Sequence, residues 1–234
     1  MPLVTMDNMG MKFDALTTDF LDRIHCCLNL LSEYGHIEWE GDLRTTYKKY
    51  LYPNVIRYDE PEMWELAINN KVSSLFQFDT PSGLQTIKLV KPHSLGELAQ
   101  ANSLMRLMPE GRDKSPAEEY IIFKNNMNLF FEEIDALDGS QKAKDALLSI
   151  LTPLCGVADG QEAVMSLLMH PDLFGFSIKE AHGARKLIAK KKIAEITAYH
   201  QKIKEIGRER GLSEEIVDYI WDVQIGRQLG YSFS

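Results

Sequence analysis

The spacing of apolar residues predicts helices over most of the chain. Between Leu16 and Leu31, apolar residues recur every three or four positions, which is the period of an amphipathic helix, and Gly35 is well placed to end that helix. The same period, together with the helix-starting residues that precede it, predicts further helices near 41–51, 60–70, 81–90, 95–106, 116–135, 141–151, 160–169, 178–206 and 213–229. The pattern therefore predicts a mainly α fold.

Serine caps mark three of these helix starts. Ser94, Ser115 and Ser177 are each followed three residues later by a glutamate. In such a capping box, each of the two side chains accepts a hydrogen bond from the other residue's backbone N–H. Pro81 and Pro116 suit the first helical position, where the missing N–H costs nothing.

The first fourteen residues have a different period. Met9, Met11 and Phe13 alternate with glycine or charged residues, and this period of two is typical of a β strand. On such a strand, Lys12 and Asp14 point to the same face. We therefore expect a short β segment at the N-terminus, ahead of the helices.

The composition is that of a globular protein whose core needs no disulfides. Of its 234 residues, 44% are hydrophobic and 26% are charged, and the longest apolar runs, of four to six residues, are too short to span a membrane. The three cysteines fit a reducing compartment, and the first residues lack the pattern of a signal peptide. We therefore expect a cytoplasmic protein with no membrane partner.

Charge is unevenly distributed along the chain. The formal net charge is −8, yet residues 178–210 hold ten Lys and Arg against four Glu, a net of +6 that leaves −14 on the rest. Residues 110–138 hold eight acidic and three basic residues. Composition alone leaves two interpretations open: a surface that meets a polyanion, or a lysine-rich helix that is simply solvated.

Several catalytic signatures are missing from the sequence. It has no Gly-Lys-Ser/Thr phosphate loop, no GxGxxG, no HExxH and no CxxC pair, and its six histidines show no tight metal-ligand spacing. By itself, the segment 160–162 predicts only a helix start with an acidic first turn. Trp64, Phe76 and Phe78 are candidates for stacking on bases, but aromatic residues at such spacing more often belong to a core.

Eight short segments occur in an order that is more informative than any one of them. They are Met9–Leu16 (MGMKFDAL), Leu75–Gly83 (LFQFDTPSG), Lys91–Ala99 (KPHSLGELA), Asn102–Arg106 (NSLMR), Gly156–Met165 (GVADGQEAVM), Gly175–Ser177 (GFS), Ala184–Lys192 (ARKLIAKKK) and the pair Ile220–Asp222 with Gly230–Phe233. This series resembles the C family of bacterial replicative DNA polymerases, whose type member is the DNA polymerase III alpha subunit.

The resemblance implies part of a DNA-directed DNA polymerase that adds deoxynucleotides to a template-primer. Residues 1–16 would be a palm remnant with the last catalytic strand, and residues 17–234 a helical fingers domain. Asp14 would be a catalytic carboxylate that binds Mg²⁺, with Lys12 beside it. The implied reaction is nucleotidyl transfer with two metal ions, which carboxylates hold about 3.5–4 Å apart. The host compartment would be the cytoplasm of a bacterial cell or a phage-infected host.

The resemblance also implies five fingers cations that bind the incoming deoxynucleoside triphosphate or DNA: Arg106, Arg185, Lys186, Lys190 and Lys192. If residues 178–206 form one helix, Arg185 and Lys192 border one edge of its apolar stripe, and Lys186 and Lys190 border the other. Lys191 then faces away from the stripe, so we expect it only to be solvated.

The sequence also departs from the family pattern. Arg106 is followed by Leu-Met-Pro-Glu-Gly rather than Pro-Gly-Pro, and residues 158–160 differ from the usual ones before Gln161, which suggests a divergent, viral member. The family's earlier pair of palm aspartates is missing, so we expect the isolated chain to be inactive without the remaining polymerase domains or a complementary split subunit. The alternatives are a non-catalytic helical DNA-binding or partner-docking module derived from a polymerase, and an unrelated helical interaction protein.

Overall fold

The structure, a computed structural model, describes residues 19–73, 75, 77–108, 112–189 and 193–228. The regular elements in these ranges are helices, as predicted for a mainly α protein. They fall into two compact units, one ending at Tyr58 and the other starting at Asp59. No helix in the described ranges is long and apolar enough to cross a membrane. The predicted N-terminal β segment and the predicted domain boundary after residue 16 lie outside the described residues and stay predictions.

Among its described residues, the first unit contains two helices, α1 (Phe20–Glu33) and α2 (Leu43–Tyr50). The first ends as predicted: Gly35 adopts a positive φ of 74°, and the N–H of the next residue, His36, donates to the carbonyl of Leu31 at 2.8 Å. The second begins at Asp42, whose carboxylate accepts a hydrogen bond from the N–H of Thr45 at 2.8 Å.

The second unit contains ten α-helices among its described residues. They are α3 (Pro61–Ile68), α4 (Pro81–Val90), α5 (Leu95–Leu104), α6 (Pro116–Asn125), α7 (Met127–Ala136), α8 (Gln141–Leu151), α9 (Gln161–Met169), α10 (Ile178–Ala189), α11 (Ile193–Glu209) and α12 (Glu214–Asp218). A π-helical segment, Tyr219–Ile225, continues α12 and is followed by the 3₁₀ turn Gly226–Gln228. The bounds match the predicted helices closely at 81–90 and 141–151.

Two hydrophobic clusters form the core of this unit. The large cluster draws its side chains from α6 through α12 and the π-helical segment. The small cluster is built from α3 through α6 and the segments between them, including Phe78 and Tyr120, together with Val157 from the loop before α9. Trp64 and Phe78 are 4% and 3% exposed, so neither presents a face for base stacking, and the structure favours their interpretation as packing residues.

Three predicted helices are divided differently from the prediction. The helix predicted over 116–135 breaks at Asn126, whose non-helical backbone (φ −146°, ψ 87°) separates α6 from α7. The helix predicted over 213–229 is α-helical only as far as Asp218. The helix predicted over 178–206 is described as α10 and α11, and the three residues between them lie outside the described ranges.

Candidate nucleotide-binding site

The loop before α9 lies at the junction of the two hydrophobic clusters. Val157 belongs to the small cluster and its neighbour Ala158 to the large one, and both side chains are fully buried. Just before them, Gly156 has a φ of +75°, a conformation that L side chains rarely adopt. The loop is therefore fixed on both sides by apolar packing.

Two buried glutamines from the C-terminal segment hold the backbone of this loop. Gln224 accepts a hydrogen bond from the N–H of Ala158 at 2.9 Å, and its amide donates to the carbonyl of Gly156 at 3.0 Å. Gln228 donates to the carbonyls of Ala158 and Gly160 at 3.0 and 3.2 Å. Both glutamines are 0% exposed. Backbone groups that would otherwise be buried without partners are thus satisfied, and the start of α9 is fixed in position.

Helix α9 begins without a side-chain cap, because its N-cap residue is Gly160. The first N–H groups of a helix have no intrahelical partners and carry partial positive charge. At this end, Gln161 accepts a hydrogen bond from Nη1 of Arg185, which lies on α10. The Nε of Arg185 is buried and has no hydrogen-bond partner among the described residues. Hereafter the "α9–α10 corner" means the first turn of α9 together with Arg185 and Lys186.

Helix α10 is positioned by a capping box and an apolar face. At its start, the backbone N–H of Ser177 donates to the Glu180 carboxylate at 2.8 Å, and the backbone N–H of Glu180 donates to the Ser177 hydroxyl at 3.4 Å. The predicted capping box is therefore present. Ala181, Ala184 and Ile188 are fully buried in the large cluster. This packing leaves Arg185 half-buried at the rim of the cluster and Lys186 exposed.

Titratable side chains near the corner have shifted pKa values, and the largest cause of each shift is the loss of hydration. The pKa of His182 is lowered, first by the loss of hydration and then by the positive charges of Arg185 and Lys186. The pKa of Asp159 is raised, mainly by burial and further by the neighbouring carboxylate of Glu162. The Arg185 guanidinium bonds to the neutral amide of Gln161, whose nitrogen in turn donates to the carboxylate of Glu162 at 3.2 Å.

A half-buried guanidinium beside an uncapped helix N-terminus favours anions. The guanidinium carries a full positive charge and the helix N-terminus a partial one, and both present N–H donors that suit phosphate oxygens. The same arrangement without a ligand is also compatible with a purely structural hydrogen bond to Gln161. The geometry therefore defines a candidate anion site rather than a reaction centre.

Arg106 lies on a different part of the second unit. It follows α5, and its Nη2 donates to the side-chain oxygen of Asn102 at 3.2 Å. The adjacent residues Leu104 and Leu107 pack in the small cluster, whereas α10 packs in the large one. Arg106 and Arg185 are thus supported by different parts of the core.

Four predicted site residues lie outside the described part of the chain: Lys12, Asp14, Lys190 and Lys192. The same is true of Lys191, the residue predicted to be only solvated. Their roles stay predictions from the sequence.

Two of the basic residues counted between 178 and 210 serve the fold. Arg210 donates to the backbone carbonyls of Pro171 and Leu173, the latter at 3.1 Å. Lys204 forms an ion pair with Asp218 at 2.8 Å. The positive charge of this segment is therefore not all available to a polyanion.

The sequence interpretation missed Gln224 and Gln228 as residues that shape the site. Their signal is visible in retrospect: two neutral amides, four residues apart, stand in a strongly apolar C-terminal segment. Polar side chains on the inner face of a helix need buried hydrogen-bond partners, and here these partners are backbone groups of the loop before α9.

Comparison with known proteins identifies the family to which this chain belongs. Residues 34–211 match the bacterial DNA polymerase III alpha subunit finger domain, and the chain belongs to this family. It is 42% identical, over 99% of its length, to the probable DNA polymerase YorL of Bacillus subtilis and to a DNA-directed DNA polymerase of Bacillus phage SPbeta. It is 25% identical, over 85% of its length, to the DNA polymerase III subunit alpha of Pasteurella multocida. The chain spans 18% of the first two relatives and 17% of the third.

Proposed function

We propose that this chain is the fingers part of a replicative DNA-directed DNA polymerase, and that its α9–α10 corner binds the triphosphate of the incoming deoxynucleotide. The relatives named above are DNA polymerases, which supports the activity of the parent protein. In this proposal, template-primer DNA is the second ligand, and the remaining polymerase domains or a complementary split subunit are the protein partners.

The observation that carries the proposal is the placement of Arg185. Packing of α10 in the large cluster keeps this guanidinium half-buried, and among the described residues it donates a hydrogen bond to the neutral amide of Gln161. A half-buried cation gains more binding free energy from a phosphate than a fully solvated lysine does, because less water must be removed from it. A triphosphate would replace or share the Gln161 contact and would also face the first turn of α9.

The other predicted cations extend this proposal along the chain. Lys186 is exposed on α10 beside Arg185, which suits a contact with a DNA backbone phosphate. Lys192 would continue the edge that carries Arg185, Lys190 would continue the edge that carries Lys186, and Arg106 would contribute from the end of α5. These assignments rest on the family resemblance and on the order of the motifs.

The metal part of the proposal rests on Asp14 and on the sequence motif that surrounds it. Mg²⁺, held there with further carboxylates of the complete enzyme, would stabilise the charge that develops during nucleotidyl transfer. Lys12, two residues away on the predicted strand, would neutralise phosphate charge from the same face. The role of the described residues is to position the nucleotide and the DNA.

Charge-neutral variants of the complete polymerase test the proposal. Arg185→Gln should raise the KM for deoxynucleotides in primer extension about 10- to 100-fold, the size expected for the loss of a charge-assisted hydrogen bond. Lys186→Gln should instead reduce the slope of template-primer affinity against log salt by about one unit. Lys142→Gln is the matched control, because it removes the same charge from an exposed site on α8.

The outcomes separate the proposal from its alternatives. Equal changes in all three variants would mean that only net charge matters and would remove the α9–α10 corner from the site. Weakened DNA binding in the Arg185 variant, with an unchanged KM for nucleotide, would favour a DNA-binding module instead. Primer extension by the isolated chain that Asp14→Ala abolishes would contradict the proposal that the missing domains are required.

A further inference from the structure

Three side chains with metal-ligating atoms meet outside the α9–α10 corner. His200 lies on α11, Asp218 is the last residue of α12, and Asp222 follows on the π-helical segment. One ligand atom from each of the three lies within 4.8 Å of the other two, and His200 Nε2 is 3.7 Å from Asp222 Oδ1. The two aspartates are four residues apart, so they project from one side of their helix toward the histidine.

The imidazole of His200 is held in a fixed orientation. Its ring stacks on the indole of Trp221, with 5.3 Å between centroids and 21° between planes, and Trp221 is 3% exposed. The Nε2 of His200 is buried and has no hydrogen-bond partner among the described residues. A buried polar atom without a partner is uncommon in proteins, and a bound ion is one explanation of it.

We propose that His200, Asp218 and Asp222 bind one divalent transition-metal ion of the zinc class. Imidazole nitrogen and carboxylate oxygen are the donors that such ions accept, at about 2.0–2.2 Å. Neighbouring ligand atoms of a tetrahedral site then stand roughly 3.3 Å apart. The separations here exceed this only moderately, and the two carboxylates, which are 37% and 57% exposed, are able to rotate inward.

The exposure of Asp222 leaves room for water as a further ligand. Three protein ligands and an open position are also the pattern of accessible zinc sites. The site joins α11 to the helical segment that carries Gln224, and a bound ion would therefore stabilise the fold between these two elements.

One cation of the chain competes for this position. The ammonium of Lys204 is 2.8 Å from Asp218 Oδ1 and 3.6 Å from Glu214 Oε1. A metal ion that binds Asp218 must displace this ammonium, which then keeps Glu214 as its partner. Removal of Lys204 should therefore tighten metal binding, in the opposite direction to removal of a ligand.

Cobalt(II) titration of the 234-residue chain tests the site, since a Co²⁺ ion with nitrogen and oxygen ligands has a visible absorption band. We expect one Co²⁺ per chain, displaced by Zn²⁺, with an affinity that falls at least about tenfold in His200→Gln and in Asp222→Asn. Lys204→Met should tighten binding about two- to fivefold, as expected for the release of a partly exposed ion pair. His36→Gln, at an exposed histidine of the first unit, is the matched control.

The exposed thiols of Cys26 and Cys27 are the competing explanation for any bound metal, so the titration is repeated with Cys26→Ser/Cys27→Ser. Binding that persists in the serine variant and is lost in the His200 and Asp222 variants supports the proposal. Binding that is lost only in the serine variant overturns it, as does the absence of any Co²⁺ band in the unaltered chain. Because Asp222 is largely exposed, Asp222→Asn should fold even if His200→Gln does not, and unchanged affinity in a folded Asp222→Asn chain would also overturn the proposal.

Discussion

Arg227 and Glu119 form an ion pair whose side chains are only 2% and 6% exposed, and it joins the C-terminal 3₁₀ turn to α6. Glu119 also accepts a hydrogen bond from Arg112 at 2.9 Å, and Arg112 in turn reaches Glu133 at 2.7 Å. The four charges form a network that links three separate parts of the chain. A buried charge needs such partners because its desolvation costs several kcal/mol.

Loss of Arg227 should therefore destabilise the protein strongly. We expect Arg227→Met to lower the free energy of unfolding by about 3–5 kcal/mol, because Glu119 is left buried with one partner fewer. Urea unfolding followed by circular dichroism measures this change. The double variant Glu119→Gln/Arg227→Met should cost less than the sum of the two single changes, since the second substitution removes the unpaired charge. Additive costs would argue against a coupled pair.

Gly156 should not tolerate a side chain. A β-carbon there would lie 2.6 Å from the ring of Phe123 and 2.8 Å from that of Phe130, at a backbone φ of +75°. We expect Gly156→Ala to reduce the free energy of unfolding by about 2–4 kcal/mol, from backbone strain and overpacking together.

Gly183→Ala is the matched control for this change. A β-carbon at Gly183 would meet no atom within 4 Å apart from the nearby backbone of its own helix, and the residue lies inside α10. Because alanine favours a helix over glycine, this variant should gain about 0.5–1 kcal/mol. Thermal melts of the two alanine variants should thus shift in opposite directions from that of the unaltered chain, and a shift in the same direction would contradict the packing described here.

Gln224 should control both stability and local exchange in the loop before α9. Gln224→Leu leaves the N–H of Ala158 and the carbonyl of Gly156 buried without partners, and we expect a loss of about 2–4 kcal/mol. Amide hydrogen exchange at Ala158 should accelerate in this variant more than in Gln228→Leu, because Gln228 bonds only to carbonyls of the loop. Gln141→Leu, at an exposed glutamine of α8, is the control and should change stability by less than about 0.5 kcal/mol. Equal exchange rates in the two loop variants would contradict the proposed division of roles.

The capping box of α10 should make stability depend on pH. Hydrogen bonds from the Ser177 hydroxyl and backbone lower the pKa of Glu180 below its ordinary value. The pKa of Glu180 is thus lower in the folded state than in the unfolded state. The stability contributed by its ionised carboxylate is therefore fully present above the unfolded-state pKa, about 4.3, and is lost as the pH falls through the folded-state pKa.

A comparison of unfolding midpoints at several pH values tests this. Glu180→Gln should be less stable than the unaltered chain at pH 7, and the difference should shrink as the pH is lowered below about 4.5. Glu205→Gln makes the same change of charge at an exposed site on α11 and serves as the control. A difference that is constant over the whole pH range would mean that the carboxylate of Glu180 does not act through its charge.

Local signals predicted the helices well, because their starts are specified by a few adjacent residues. The pattern at Ser115 predicted a capping box, and the serine and Glu118 form one. At Ser94 only half of the predicted capping box forms. The Ser94 hydroxyl accepts a hydrogen bond from the N–H of Glu97, but the Glu97 carboxylate accepts its hydrogen bond from the N–H of His93 instead of that of Ser94. The break at Asn126 carries no proline or glycine, so no strong local signal marked it.

The site was predicted less completely, because it depends on contacts between distant parts of the sequence. The motif order indicated the segment 156–165 and Arg185, and the structure brings Arg185 against Gln161. Periodicity placed Lys186 beside the apolar stripe but did not reveal that Lys204 and Arg210 bind groups of the protein itself. Long-range hydrogen bonds of this kind have no local sequence pattern, since either partner would be equally compatible with solvent.

The two glutamines that hold the loop before α9 also set an order of events during synthesis. Gln224 and Gln228 follow Ala158 by 66 and 70 residues, so the ribosome makes them long after the loop has left the peptidyl-transferase centre. Until that stretch emerges, the nascent chain has Gly156, Ala158 and Gly160 but lacks the amides that satisfy their backbone groups. Closing such a distant contact carries an entropic cost that slows folding. The start of α9 should thus be among the last parts of the second unit to acquire its final conformation on the ribosome. A nascent chain that stalls before residue 224 should be cleaved by proteases near the start of α9.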